Sequence, residues 1–209
     1  MSVTIILIIL TVAVSWYAFQ NDQLTHRWIF HPYSVQVNNE WHRFITSGFL
    51  HADFTHLFFN MLALYFFGRV VEYVFMAAFG DVIGIALYLF IYIGGIIVSD
   101  IPTYLKHRDN PGYRALGASG GVSAVIFSSI LFNPISDICL YFFICLPGFI
   151  LGLLYLIYSY YKGQQGADAI NHDAHFYGAV YGIVVSLILI PRAGPNFVEQ
   201  LFQWQGFSF

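Results

Sequence analysis

Residues 54–76 read FTHLFFNMLALYFFGRVVEYVFM, an apolar run whose strongly polar members are His56, Asn60, Arg69 and Glu72. A helix rises about 1.5 Å per residue, so a run of this length covers the roughly 30 Å hydrocarbon core of a bilayer. Working outward, five more runs match that template: Val3 to Phe19, Val82 to Val98, Gly117 to Phe132, Ile138 to Tyr160 and Asp173 to Ile190. Asn21-Asp22, Phe79-Gly80-Asp81, Asn133-Pro134 and Pro191 punctuate them. The expectation is an all-α integral membrane protein, one six-helix bundle over 1–209 without internal repeats. The first run has no basic region or small-residue cleavage site ahead of it and reads as an anchor rather than a signal peptide. Gln23 to Ala52, with Trp28, Tyr33 and Trp41, suits the headgroup level. Ser99 to Arg114 reads as a polar connection, Lys162 to Asn171 as a loop, and Pro147-Gly148 as a kink inside the fifth span. Phe197, Leu201, Phe202 and Trp204 suit a tail lying along the membrane surface.

Composition agrees with a membrane setting. The 209 residues are 58% hydrophobic, 20% aromatic and only 9% charged, with mean hydropathy +0.69, too few charges to cover a soluble globule. Eight Lys and Arg against eleven Asp and Glu give net charge -3 with no basic tract, which excludes a nucleic-acid partner. Cys139 and Cys145 are six apart in one apolar run. On a helix they stand roughly 9 Å apart along the axis, so the expectation is two thiols packed as small hydrophobes, unable to bridge.

Polar groups inside a membrane are costly and therefore candidates for function. The fourth and sixth runs have one run between them, so their N-termini share a membrane face, and Ser119 and His175 share a depth. Gly117, Gly120 and Gly121 flank the serine, and Gly178 and Gly182 follow the histidine. Gly117/Gly121 and Gly178/Gly182 are G-x-x-x-G pairs that let helix backbones meet. A neutral imidazole beside a serine takes its proton during attack and returns it to the leaving amine. His56 and Asn60, at i and i+4, present donors from one helix face to a developing oxyanion, and the Ser119 amide at a helix start adds a third. Asp173 lies about 200° around the helix from His175, so a dyad fits better than a triad.

These residues resemble the rhomboid intramembrane serine proteases. The likeness runs from Glu40 to Gly182: Glu40-Trp41-His42-Arg43, His51 with His56 and Asn60, Gly117-Ala118-Ser119-Gly120, and Ala174-His175 followed by Gly178 and Gly182. It implies Ser119 as nucleophile, His175 as general base, and His56, Asn60 and the Ser119 amide as oxyanion hole, with no cofactor. Glu40, Arg43 and His51 are implied to be structural. The implied substrates are other membrane proteins, cut near the extracytoplasmic end of a transmembrane segment, in a plasma (inner) membrane. One departure stands out. Many members carry an aromatic four residues after the serine, stacked on the histidine, where this chain has Ser123; another aromatic, with Tyr177 as one candidate, or none, is left to orient His175.

Other readings compete residue by residue. A serine at a crowded crossing is by itself packing, and His56 and Asn60 also suit a structural network. Arg69 and Glu72, at i and i+3, read as a local ion pair. His51, His56, His172 and His175 raise a metal site, but no H-E-x-x-H occurs. Gly117 to Gly121 satisfies G-x-S-x-G, yet Asn110-Pro111-Gly112 is not the strand that a hydrolase elbow needs. A catalytically silent relative that binds membrane helices is the alternative function, and a metal-binding protein or transporter a third. Charge opposes the implied orientation: Arg27, Arg43, Lys106, Arg108, Arg114 and Lys162 fall on the Ser119 side and only Arg69 and Arg192 on the other, against the positive-inside rule. Pairing with acids such as Asp100 and Asp109 would relieve the conflict.

Overall fold

The computed structural model describes residues 2–140, 144–165 and 170–206. Six longer helices form the bundle: α1 Val3–Ala18, then α5 Phe54–Phe79, α6 Asp81–His107, α7 Ser119–Phe132, α8 Gly148–Gln165 and α9 His172–Leu189. Short helices α2 Asp22–Trp28, α3 Pro32–Asn38 and α4 Arg43–Thr46, with a 3-10 turn at Ser47–Phe49, fill the first connection. α10 Ala193–Gln203 closes the described chain. By length and apolarity α5 and α6 are each able to cross a membrane, and α9 with α10 passes the same test as a pair bent by 108°. α1 and α7 are apolar but shorter.

Three expected boundaries are corrected. α6 runs on to His107 through Pro102, where a polar connection from Ser99 was expected. Pro102 removes one N–H from the ladder, but Asp100 and Thr103 beside it are buried, and Thr103 donates to Asn171 at the start of α9, which holds the turn. The fourth helix starts at Ser119 rather than Gly117, because Gly117 takes φ +127, a left-handed conformation outside the helix. The fifth expected span is not one helix. Asp137–Leu140 (β1) and Ile144–Pro147 (β2) pair as an antiparallel hairpin before α8 begins at Gly148, and residues 141–143 of that span lie outside the described residues, as do 166–169 of the expected loop. In the hairpin Cys139 pairs directly with Cys145, and a disulfide joins them, against the expectation of two separate thiols. Six residues of helix hold two cysteines apart; two paired antiparallel strands bring them face to face.

The core lies where α5, α6 and α7 meet, around Leu64, Val71, Phe75, Tyr88, Ile91, Tyr92 and Val125. α1 is fastened to it by polar contacts. The Glu72 carboxylate accepts hydrogen bonds from the Ser2 hydroxyl (2.6 Å), the Val3 N–H (2.7 Å), and the Thr4 N–H and hydroxyl (3.0 and 2.7 Å). It thus caps the start of α1 from a neighbouring helix, satisfying amides that have no partner in their own helix. The expected Arg69–Glu72 pair is not formed among the described residues; Arg69 instead donates to the Tyr65 hydroxyl (3.3 Å) and lies over that ring. The expected tail forms α10, with Phe202 exposed and Trp204 edge-on to Phe149 of α8.

Candidate active site

Backbone contact between α7 and α9 builds the site. A Cβ added at Gly178 would strike the carbonyl of Gly120, and one at Gly182 the carbonyl of Ala124, so only glycine permits this approach. Gly121 faces α6 instead, against Tyr92 and Ile96, and Gly120 also abuts Ser99 of α6. The expected Gly117/Gly121 face therefore gives way to Gly120 and Ala124. Ser119 is the first residue of α7 and His175 the fourth of α9, each just N-terminal to the Gly120–Gly178 contact. Both are half-buried. Among the described residues no hydrogen bond joins the Ser119 hydroxyl to the His175 ring.

As the first residue of its helix, Ser119 has an N–H without an intrahelical acceptor, and Gly120 and Gly121 follow it in the same turn. His56 of α5 reaches the same place: its Cε1 and Nε2 lie where a Cβ on Gly117 would be, at 2.8 and 3.0 Å. The Ala52 N–H donates to His56 Nδ1 at 3.4 Å, which leaves the ring proton on Nε2, facing the serine loop. Asn60 is buried one turn further along α5, and its amide donates to the His56 carbonyl at 3.0 Å, so one of its two N–H groups is spent on its own helix.

His51 stands edge to face with His56, centroids 4.9 Å apart. The Ser15 hydroxyl donates to the Phe49 carbonyl at 2.8 Å and pairs with His51 Nδ1 at 2.9 Å, linking α1 to the loop before α5. Burial, with His56 beside it, lowers the His51 pKa to about 3, while Asp53 opposes weakly. His51 is thus neutral and holds the loop. Further out, Glu40 accepts from Arg43 Nε at 2.6 Å while Arg43 Nη1 donates to the carbonyls of His26 (2.8 Å) and Ile29 (2.7 Å). Trp41 stacks on Phe44 and leans on Tyr104. These residues pin the first connection to α6.

Asp173 turns away from His175: its carboxylate accepts from Lys106 Nζ at 3.2 Å, tying α9 to the end of α6. Asn171 accepts from the Ala174 N–H and the Thr103 hydroxyl, both at 3.1 Å, capping α9 and fixing its depth. His172 and His175 are 5.8 Å apart, edge to face. Among the described residues no three His, Cys, Asp or Glu converge as metal ligands.

Three features were not foreseen. A polar cavity of about 10 Å³ lies behind Ser119, lined by Ser47, Ser99, Asp100, Gly117 and Asn171. That is room for about one water, with several groups to bind it. Asp100 is buried there rather than paired with an arginine. A far larger apolar hollow, about 930 Å³, opens between α5 and the hairpin, walled by Phe58, Phe59, Phe66, Ile130 and Ile138. The aromatic over His175 is neither Tyr177, which is exposed beside Phe176, nor a residue of α7, but Tyr155 of α8, with centroids 6.0 Å apart and planes 18° from parallel.

A family model for the Rhomboid domain matches residues 38–192, nearly three quarters of the chain and all the residues just described except Ser15, His26 and Ile29. The chain belongs to the rhomboid family. It is 31% identical over 159 residues to the Arabidopsis thaliana protein "RHOMBOID-like protein 12, mitochondrial", covering 68% of this chain and 45% of that one. It is 35% identical over 100 residues to "Putative rhomboid protease YdcA" of Bacillus subtilis (strain 168), 46% of this chain and 45% of the relative. With "Rhomboid-like protein 11, chloroplastic" of Arabidopsis thaliana it shares 30% over 198 residues, 88% of this chain and 64% of the relative. This rhomboid chain thus spans about half the length of the first two curated relatives. Two of these names say mitochondrial and chloroplastic, so a plasma membrane location gains no support from them. The family reading does settle that the apolar helices belong to a membrane protein.

Proposed function

We propose that this rhomboid protein is an intramembrane serine endopeptidase that cuts membrane-protein substrates with a Ser119–His175 dyad, its six longer helices embedded in the bilayer. The contact of Gly120 with Gly178 carries this reading, because it brings the two helix starts that bear Ser119 and His175 to one point. His175 takes the Ser119 proton as the hydroxyl oxygen attacks the substrate carbonyl, and returns it to the departing amine; water then cleaves the acyl-enzyme with His175 again as base. The oxyanion is met by the Ser119 N–H and His56 Nε2–H, with the second Asn60 N–H as a further donor. The water-sized cavity beside Ser119 supports a local supply for the second step.

Fluorophosphonate labelling of detergent-purified protein tests this, comparing the wild type with Ser119→Ala and His175→Ala at matched thermal stability. Labelling of the wild type alone is expected; equal labelling of Ser119→Ala refutes the assignment. The missing Ser119–His175 hydrogen bond favours the second reading, a silent relative that binds membrane helices. No labelling, together with no cleavage of a model transmembrane substrate, would select it.

A further inference from the structure

α8 turns a stripe of small residues inward: Gly148, Gly152, Ser159 and Gly163 are its buried positions. Tyr155 lies on that stripe, three residues after Gly152 and four before Ser159, and is its one large side chain. Its ring reaches both active-site helices. It stacks on His175 of α9, packs against Phe127 of α7 at 5.8 Å, and its hydroxyl pairs with the Ser123 hydroxyl at 3.3 Å. Ser119, Ser123 and Phe127 are successive i, i+4 positions along one face of α7. Ser123 therefore leaves, one turn below the nucleophile, the space that a ring arriving from α8 occupies.

We propose that Tyr155, anchored through Ser123, is the positioning residue for the His175 imidazole, so that orientation of the general base is delegated to α8. This rests on the dyad reading above. An imidazole on a helix rotates about χ1 and χ2, and only a narrow range points its nitrogen at the Ser119 oxygen; a ring against one face removes much of that freedom. The hydroxyl contact fixes the depth of the tyrosine ring in turn. Tyr155 touches no reacting atom, so its loss should weaken turnover and leave substrate binding alone.

The test measures kcat and KM for a model transmembrane substrate, and in parallel the histidine ring resonances of protein carrying isotope-labelled histidine, with the His175 signal assigned by its absence from His175→Ala. Tyr155→Leu is expected to lower kcat by about 10- to 100-fold at unchanged KM and to shift the His175 signal. Tyr155→Phe and Ser123→Ala each lose one hydroxyl contact and should lower kcat about fivefold, and the double variant should be no worse than either. Ser123→Phe introduced into Tyr155→Gly restores a ring at the same place and should recover turnover. Ser123→Ala keeps the test open if Tyr155→Leu does not fold. An unmoved His175 resonance in Tyr155→Leu, or unchanged kcat in Tyr155→Leu and Ser123→Ala, overturns the proposal. Cleavage that survives Ser119→Ala would instead overturn the dyad, a separate result, and the resonance would still judge the ring contact.

Discussion

His51 and His56 touch edge to face, yet their hydrogen bonds assign them different work. His56 keeps its proton on the nitrogen that faces the serine loop, so His56→Ala should lower kcat by about 10² to 10³ with KM little changed, read by steady-state cleavage assays. His51 is buried and held neutral, with its pKa near 3 against an ordinary 6.5. The unfolded chain therefore binds a proton at His51 that the folded chain refuses. Its contribution to stability is complete above about pH 6.5 and is lost progressively as pH falls toward 3. Thermal melts between pH 7 and 4 should show that loss, and His51→Asn, which does not titrate, should flatten it. The meeting of the helix starts that bear Ser119 and His175 was legible in the sequence because glycines and helix starts are local signals. Tyr155 was not, since its partner lies 20 residues away on another helix and its register depends on where that helix begins.

Elements succeed or fail in the sequence according to how their ends are marked. α5 and α9 end at a glycine or before a proline and were read to within a few residues. α6 was cut short because Asp100, Pro102 and the charges after it look like a loop; in the fold Asp100 and Thr103 are buried while Lys106 and Arg108 stay exposed at the helix end. The hairpin was read as helix because a short apolar run has no period that separates strand from buried helix. α1 depends on a partner that no local pattern shows: Glu72→Ala leaves the start of that helix without its acceptor, and should destabilise the protein by about 2 kcal/mol and expose residues 2–18 to protease. Unchanged melting and cleavage patterns would reduce Glu72 to a spectator.

For the whole molecule, the all-α reading is supported, but among the described residues only α5, α6 and the bent α9–α10 pair meet the length and apolarity of a crossing segment, fewer than the six expected. The excess of cations on the Ser119 side is partly neutralised: Arg43 pairs with Glu40, Lys106 with Asp173, and Arg108 with Asp109 at 3.8 Å, though Asp100 takes no such part. At the opposite end of α7 the disulfide closes a ring of about seven residues, for which chain entropy gives roughly 2 kcal/mol of stability. Cys139→Ser should lose that amount in thermal unfolding; a reductant should cost the wild type the same and the variant nothing. The stapled hairpin passes into α8 without a linker, since β2 ends at Pro147 and the helix begins at Gly148. α8 is thus an arm set directly on the disulfide-joined strands. Tyr155 stands seven residues up the arm, about 10 Å by helical rise. At that radius a tilt of roughly 5° swings the ring by about 1 Å, as far as a misplaced group need travel to cost a hundredfold in rate.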